Sequence, residues 1–450
     1  LAEHIDETEL SLYAADSEAV PPERRAAIQR HTANCGECRA RLDFFFILEE
    51  DLRDPGVWEP FTGSPALASL RACAEQIATE DSEAEELLQK FLASPATLAA
   101  TNLAVLGKRY VNGGVVRRLS THAHEVCESE PLDALIFAEA AVTIAELLPE
   151  DTYPAKAVFE LRGTAWKECA NAQMVLGQFP DALESLNRAE RAYRKLASPA
   201  LGLSIVALVR AGVLYEQQKL DEAAAQAEAA EVGFANIGDD DRRIRALHLR
   251  GSIKLEAGDL LAAISLYKQA LEYGEILNDP LWIGRALYAI GHCETDLNRL
   301  ADASMHFHNA LVIFREFGPT RERLCAEWGI ARVIMRGGKR AQGLQRLRDL
   351  AAEFNRQGML QHEALVGLDI AEGLLSLGEV KQIVDLATRL FATFKDSETL
   401  PAALSALAYL KEAAALKKLT PRGINAVRQF LKRSERQPEL VFSPPADDFH

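Results

Sequence analysis

Six stretches of this 450-residue chain share one turn pattern: LGQFPDALESL, QQKLDEAAAQA, AGDLLAAISLY, LNRLADASMHF, GGKRAQGLQRL and LGEVKQIVDLA. Their second residues are Gly177, Gln218, Gly258, Asn298, Gly338 and Gly378, spaced by 41 and then four times by 40 residues. A unit of that length cannot bury its apolar face alone, so copies must stack on one another as a solenoid. This single periodicity excludes a closed globular core for most of the chain.

Residues inside each unit indicate how the stacking works. Gly251 and Gly258 are followed by Ala263, Tyr267 and Ala270, and the next unit repeats the offsets with Gly291, Asn298, Ala303, Phe307 and Ala310. Small residues let two antiparallel helices approach closely. The Gly or Asn at the turn takes a left-handed conformation that ends a helix, and the aromatic fills the space between neighbouring units. This order resembles the tetratricopeptide repeat, with a period nearer 40 than its usual 34, so the helices or their connections are extended. Pro199 and Pro280, at one offset, mark unit boundaries.

Six units cover about 160–396. A seventh follows, built from ALSALAYLKEAAAL and PRGINAVRQFLKR around a turn at Lys418; Arg428, Lys432, Arg433 and Arg436 suit its last helix to a polar terminal cap. Residues 437–450 read as a loose tail. LDALIFAEAAVTIAELL (132–148) reads as the second helix of a degenerate unit, and 67–93 and 97–119 as less regular helices. The Pro- and Gly-rich stretch 54–66 reads as a linker. The expected architecture is therefore all-α: a small domain over 1–53, the linker, an irregular helical region over 67–159, and repeats with a C-terminal cap over 160–436.

The small domain carries the chemistry. His31, Cys35 and Cys38 form a His-x3-Cys-x2-Cys cluster in RHTANCGECRARL. Two thiols and an imidazole at this spacing can meet one zinc ion. His31 lies about one helical turn before Cys35, and Gly36 between the cysteines lets the backbone bend. His4 is the only His or Cys in the thirty residues upstream, which makes it the candidate fourth ligand. A short segment this polar buries little core, so zinc would contribute folding energy directly. A redox pair is the weaker reading, because no strand-then-helix context surrounds the Cys-x-x-Cys.

The segment HIDETELSLYAADSEAVPPERRAAIQRHTANCGECRARL resembles the zinc-binding anti-sigma domain of bacteria, the anti-sigma zinc finger. The match runs from the ligand His4 through the acidic stretch Asp6–Glu9 and a helix with Leu10 and Tyr13. It continues through a loop at Asp16–Val20 and a helix opened by Pro21 and Pro22 to the knuckle, and covers about fifty residues. The first ligand is His where redox-responsive members use Cys, which argues against a thiol switch. The resemblance implies a sigma factor as partner, gripped in part by the helix after the knuckle. In LDFFFILEEDL that helix offers Phe44, Phe45, Ile47 and Leu48 as contact residues; packing against the first repeats is the competing use of the same face. The repeats would then be the sensing half, taking a peptide or protein on their concave face. The alternative is a tetratricopeptide scaffold whose zinc domain is purely structural.

Composition limits the remaining classes. The net charge of −16 disfavours direct nucleic-acid binding, and residues 1–60 hold fourteen acids against six bases, a balance that attracts a basic protein. No apolar run is long enough for a membrane span, the first residues lack a secretory signal pattern, and scattered cysteines suit the cytoplasm. No nucleophile elbow, phosphate loop or His-Glu-x-x-His occurs, so the chain reads as a non-enzyme. The pairs His122/His124 and His306/His308 point to different sides of their helices and make poor metal sites. Cys73, Cys127, Cys169, Cys293 and Cys325 read as core residues. Asp239–Asp241 read as a solvated turn, and Gly113–Gly114 and Gly337–Gly338 as turn glycines.

Overall fold

The computed structural model describes residues 5–15, 20–53, 65–92, 110–148, 153–397, 401–434, 437 and 440–445. These residues contain helices and no strands. The chain divides into two compact units, Leu1–Ser82 and Glu83–His450.

In the first unit three helices, α1 (Glu7–Ala15), α2 (Pro22–Asn34) and α3 (Gly36–Arg53), surround a core of Leu10, Val20, Ile28, Cys38 and Leu42. Arg24 of α2 grips the Glu9 carboxylate of α1 with two guanidinium nitrogens, Nη2 lying 2.8 Å from Oε2. Gln29 Nε2 donates to Tyr13 Oη at 2.9 Å. The guanidinium of Arg39 on α3 closes on the last carbonyls of α2, with Nε 3.0 Å from Thr32 O, where a cation also meets the negative end of the helix dipole. α4 (Pro65–Leu92) carries the division between the units. Most of the expected linker, 54–64, and the stretch 93–109 lie outside the described residues.

The second unit is a stack of helical hairpins. An irregular first hairpin, α5 (Gly113–Val126) and α6 (Pro131–Leu147), is followed by α7 (Ala155–Val175) and α8 (Phe179–Tyr193), then α9 (Ala200–Glu216) and α10 (Leu220–Ile237). Next come α11 (Asp240–Glu256) and α12 (Leu260–Ile276), α13 (Pro280–Asp296) and α14 (Leu300–Glu316), and α15 (Thr320–Arg336) and α16 (Arg340–Arg356). The last are α17 (Leu360–Leu375) and α18 (Val380–Ser397), and α19 (Pro401–Ala415) and α20 (Pro421–Ser434). Gly113 and Gly114 open α5 behind the cap Asn112 rather than forming a turn. Asp239 caps α11 through Arg242 N, with Asp240 and Asp241 in the first turn, where acids suit the helix dipole.

All six turn residues marked by the repeat have left-handed backbone, including Gly258 at φ 81° and the non-glycines Asn298 at 58° and Gln218 at 60°. A seventh such turn falls at Lys417, φ 55°, one residue before the expected position. Between helices, Ala263, Ala270, Ala303 and Ala310 are fully buried around Tyr267 and Phe307. The Phe307 ring fits against Gly291 of its own hairpin and Gly329 of the next. A Cβ on Gly329 would stand 2.6 Å from that buried ring. We therefore expect Gly329→Ala to lower stability by about 1–2 kcal/mol. Overpacking costs about 1–3 kcal/mol and outweighs the gain of up to about 1 kcal/mol in helix propensity; a urea midpoint at unchanged slope measures it.

Successive first helices, from α7 to α17, touch one another, whereas successive second helices do so less. Curvature therefore closes toward the first helices, and they line the inner face. α20 leaves this scheme. It packs on α17 and α19 instead of continuing the outer row over α18, so it lies on the inner face rather than as a polar cap on the end of the stack. Among the described residues beyond it, Phe442 lies between Tyr409 and Phe430, both ring centroids 5.3 Å away.

Candidate metal centre and repeat inner face

α2 ends one residue before the knuckle. Cys35 is its C-cap, with φ −117° and ψ 107° and its N–H bonded to His31 O at 2.8 Å. The bend is thus made by extended backbone at Cys35. Gly36 simply starts α3, and a Cβ there would meet nothing within 4 Å. His31 and Cys35 lie four residues apart at the end of α2, and Cys38 sits in the first turn of α3. Their imidazole nitrogen and two sulfurs lie within 4.8 Å of one another.

Three observations fit these residues to zinc. The donor set is two sulfurs and an imidazole, which zinc prefers. The His31 Nε2 is buried and without a hydrogen-bond partner. Cys38 is fully buried, and burial pushes its thiol pKa up against the opposing pull of the Ile5 backbone N–H. A cation at the centre supplies the charge that makes burial of thiolates tolerable. His4, next to that Ile5, lies outside the described residues.

On α3, just after the knuckle, Phe44, Phe46 and Ile47 are 60%, 45% and 60% exposed. Phe45 turns inward and packs against the core of the unit. The Leu48 side chain lies outside the described ones. Phe46, absent from the contact set expected from sequence, meets Tyr13 edge-on at 6.4 Å.

The remaining metal candidates from sequence are engaged elsewhere. His124 Nδ1 lies 3.2 Å from Glu168 Oε2, and His306 Nδ1 lies 2.7 Å from Glu294 Oε2. Burial alone would raise the Glu168 carboxyl, yet His124 and Lys167 hold it below the usual range. Cys127, Cys169 and Cys293 are buried, and burial pushes the Cys293 thiol up to about 12. Cys325 is half-buried, and Cys73 is exposed rather than in a core.

The inner face carries a polar network that sequence reading missed. Asp369, in the apolar run LVGLDIAEGLL of α17, is buried. Its carboxylate accepts from Trp328 Nε1 at 2.6 Å and from Arg428 Nη2 at 2.7 Å, and lies 3.5 Å from Arg332 Nε. Arg332 also lies 3.6 Å from Asp296 Oδ1 and 3.3 Å from His292 Nε2. Many partners are one repeat apart: 292 and 332, 328 and 369, 296 and 336. The same position in adjacent units meets across the stack, so an ionic residue recurring at that offset was the available signal.

His248 is held between Tyr267 and Trp282, with centroids at 5.2 and 5.6 Å. Burial, with Arg285 adding to it, pushes its pKa down to about 4. His292 is also pushed down to about 4, by burial first and then by Arg332. Although 28% of the His292 side chain is exposed, its Nδ1 is sealed from solvent, and the surroundings of the nitrogens decide the proton's energy. No helix among the described residues is long and apolar enough to cross a membrane.

No family model matches the chain. No curated protein matches it. Solved structures do. The crystal structure of aspartyl phosphate phosphatase F from Bacillus subtilis aligns at TM-score 0.50 and 11% identity, over 87% of this chain and 96% of that one. A Rap protein complexed with competence and sporulation factor aligns at TM-score 0.44 and 16% identity, over 80% and 99%. A signal transduction ATPase with a tetratricopeptide repeat sensor from Pyrococcus horikoshii aligns at TM-score 0.47 and 12% identity, over 72% and 52%. At 11% identity, the likeness to the phosphatase speaks for a shared helical-repeat fold alone.

Proposed function

We propose that the chain is a transcription regulator in two parts. The first unit binds zinc and sequesters a sigma factor; the helical repeats are the sensing or docking half. The observation that carries this reading is the convergence of His31, Cys35 and Cys38 at the start of the helix that exposes Phe44, Phe46 and Ile47. A metal at that junction fixes the direction of α3 and so pre-organises an apolar face for a partner. Exposed aromatic side chains on a rigid helix are the residue types that anchor interfaces. The acidic surroundings of the unit favour encounter with a basic partner surface.

The test is the double variant Phe44→Asp/Ile47→Asp in the full chain. Both side chains are exposed, so zinc content and the helical signal should stay at wild-type values. Affinity for the cognate sigma factor should fall at least a hundredfold, as expected for losing two anchors at about 2 kcal/mol or more each. Undiminished binding by a zinc-loaded variant would remove the assigned face from the account.

A further inference from the structure

We propose that α20 is an internal ligand of the repeats, and that the inner face it covers is a receptor for a basic amphipathic helix of a partner protein. This rests on the reading of the repeats as a docking half and not on the zinc-binding unit.

The seating of α20 differs from that of the other helices. In the middle hairpins, rings close onto glycine of a facing helix, as Tyr267 does on Gly251 and Phe307 on Gly329. α20 presents an apolar stripe, Ile424, Val427 and Leu431, to α17 and α19, where it joins the core of the last hairpins. Phe430 adds an edge-on contact with Phe442, and polar bonds complete the seat. Arg428 Nη2 bridges Asp369 Oδ1 at 2.7 Å and Glu372 Oε2 at 3.1 Å. Gln361 Nε2 of α17 donates to Leu431 O at 2.8 Å. Beyond the helix, Gln437 Nε2 donates to Glu216 O at the end of α9, at 2.6 Å. Apolar residues at spacings of three and four with a cationic flank are the pattern by which a groove reads a helical peptide.

Charge complementarity names the ligand class. The segment PRGINAVRQFLKRS has four cationic side chains and no acid, in a chain of net charge −16. The receptor carboxylate is positioned without it. Asp369 is bonded to Trp328 and faces Arg332, both on α15, so the groove stays pre-organised when α20 leaves. Being tethered, α20 competes at an effective concentration in the millimolar range. A partner helix of the same chemistry takes its place only by binding the open form more tightly, and it shifts the population by that difference.

The probe is a fluorescein-labelled peptide of residues 419–437, titrated into the full-length chain while hydrogen exchange follows α20. Arg428→Glu sets a carboxylate against Asp369 and Glu372; Leu431→Asp is the second variant, acting on the apolar stripe. In the wild type, α20 amides should exchange through a local opening well before the repeats unfold. In both variants that opening should dominate, and the chain should bind the peptide at least tenfold more tightly than wild type. A peptide carrying the Arg428→Glu change should not bind. If α20 is released but peptide affinity matches wild type, the basic-helix inference is overturned and the docking reading must find another ligand. If α20 exchanges only with global unfolding, and both variants melt the repeats, α20 is part of the fold. That result overturns the inference and the inner-face docking reading together.

Discussion

Cys38→Ser in the full chain is expected to lower bound zinc from one per chain to none and to unfold the first unit. Among the described residues, helices α1 to α3 enclose five buried apolar side chains, a small core for a segment of about fifty residues to fold on unaided. Apparent binding free energies of structural zinc in small domains are on the order of 10–16 kcal/mol, so losing one thiolate removes the main source of order here. Amide exchange over 20–53 should become fast, while the melting of the repeats stays put, because their core shares no residue with the knuckle. Metal analysis and residue-resolved exchange on one sample make the check. A zinc-free wild type with protected α2 and α3 amides would show that the metal is not what holds the unit.

Acid should loosen the repeats well before most carboxylates titrate. His248 and His292 stay neutral in the folded chain down to about pH 4, whereas in the unfolded chain each takes up a proton near pH 6.5. The unfolded state then binds more protons between these values, so stability falls as pH drops from about 6.5 toward 4 and is insensitive above. Each histidine contributes up to about 1.4 kcal/mol per pH unit, on the order of 3 kcal/mol each by pH 4. The physical cause at His292 is specific. Its Nε2 accepts from Arg332, and a proton there would set N–H against guanidinium. His362 is displaced in the same direction, by burial and then by Arg321. Urea midpoints at pH 7, 6, 5 and 4.5 should show the slope, and His248→Phe, which keeps a ring between Tyr267 and Trp282, should remove its share. A stability flat from pH 7 to 5 would contradict the assignment.

The parts legible in the sequence are those set by local or periodic constraints. The turn at Gly258 and the small–aromatic–small order of Ala263, Tyr267 and Ala270 recur because every hairpin solves one packing problem, so six copies declare themselves. The convergence of His31, Cys35 and Cys38 was legible because the three lie within eight residues. The path of α20 was not legible. Its helical pattern is plain, but its place is set by Arg428 meeting residues 56 and 59 positions away and by Gln437 meeting one 221 away, and no periodicity encodes such contacts. Asp369 was passed over for a related reason. Within its own helix it is one of two acids in an apolar run, and its meaning depends on Trp328 and Arg332 one repeat upstream. Gly36 was misjudged because a glycine between two ligands invites a conformational role that extended backbone at Cys35 already fills.

The proposed clamping of a sigma factor by a zinc-loaded first unit is read most directly by native mass spectrometry of the full chain co-expressed with each sigma factor of its host. For one of them we expect a stable complex of one chain, one sigma factor and one zinc ion. A chain that carries its zinc and yet emerges alone from every co-expression would contradict it, and would leave a helical-repeat scaffold with a structural metal as the reading of this molecule.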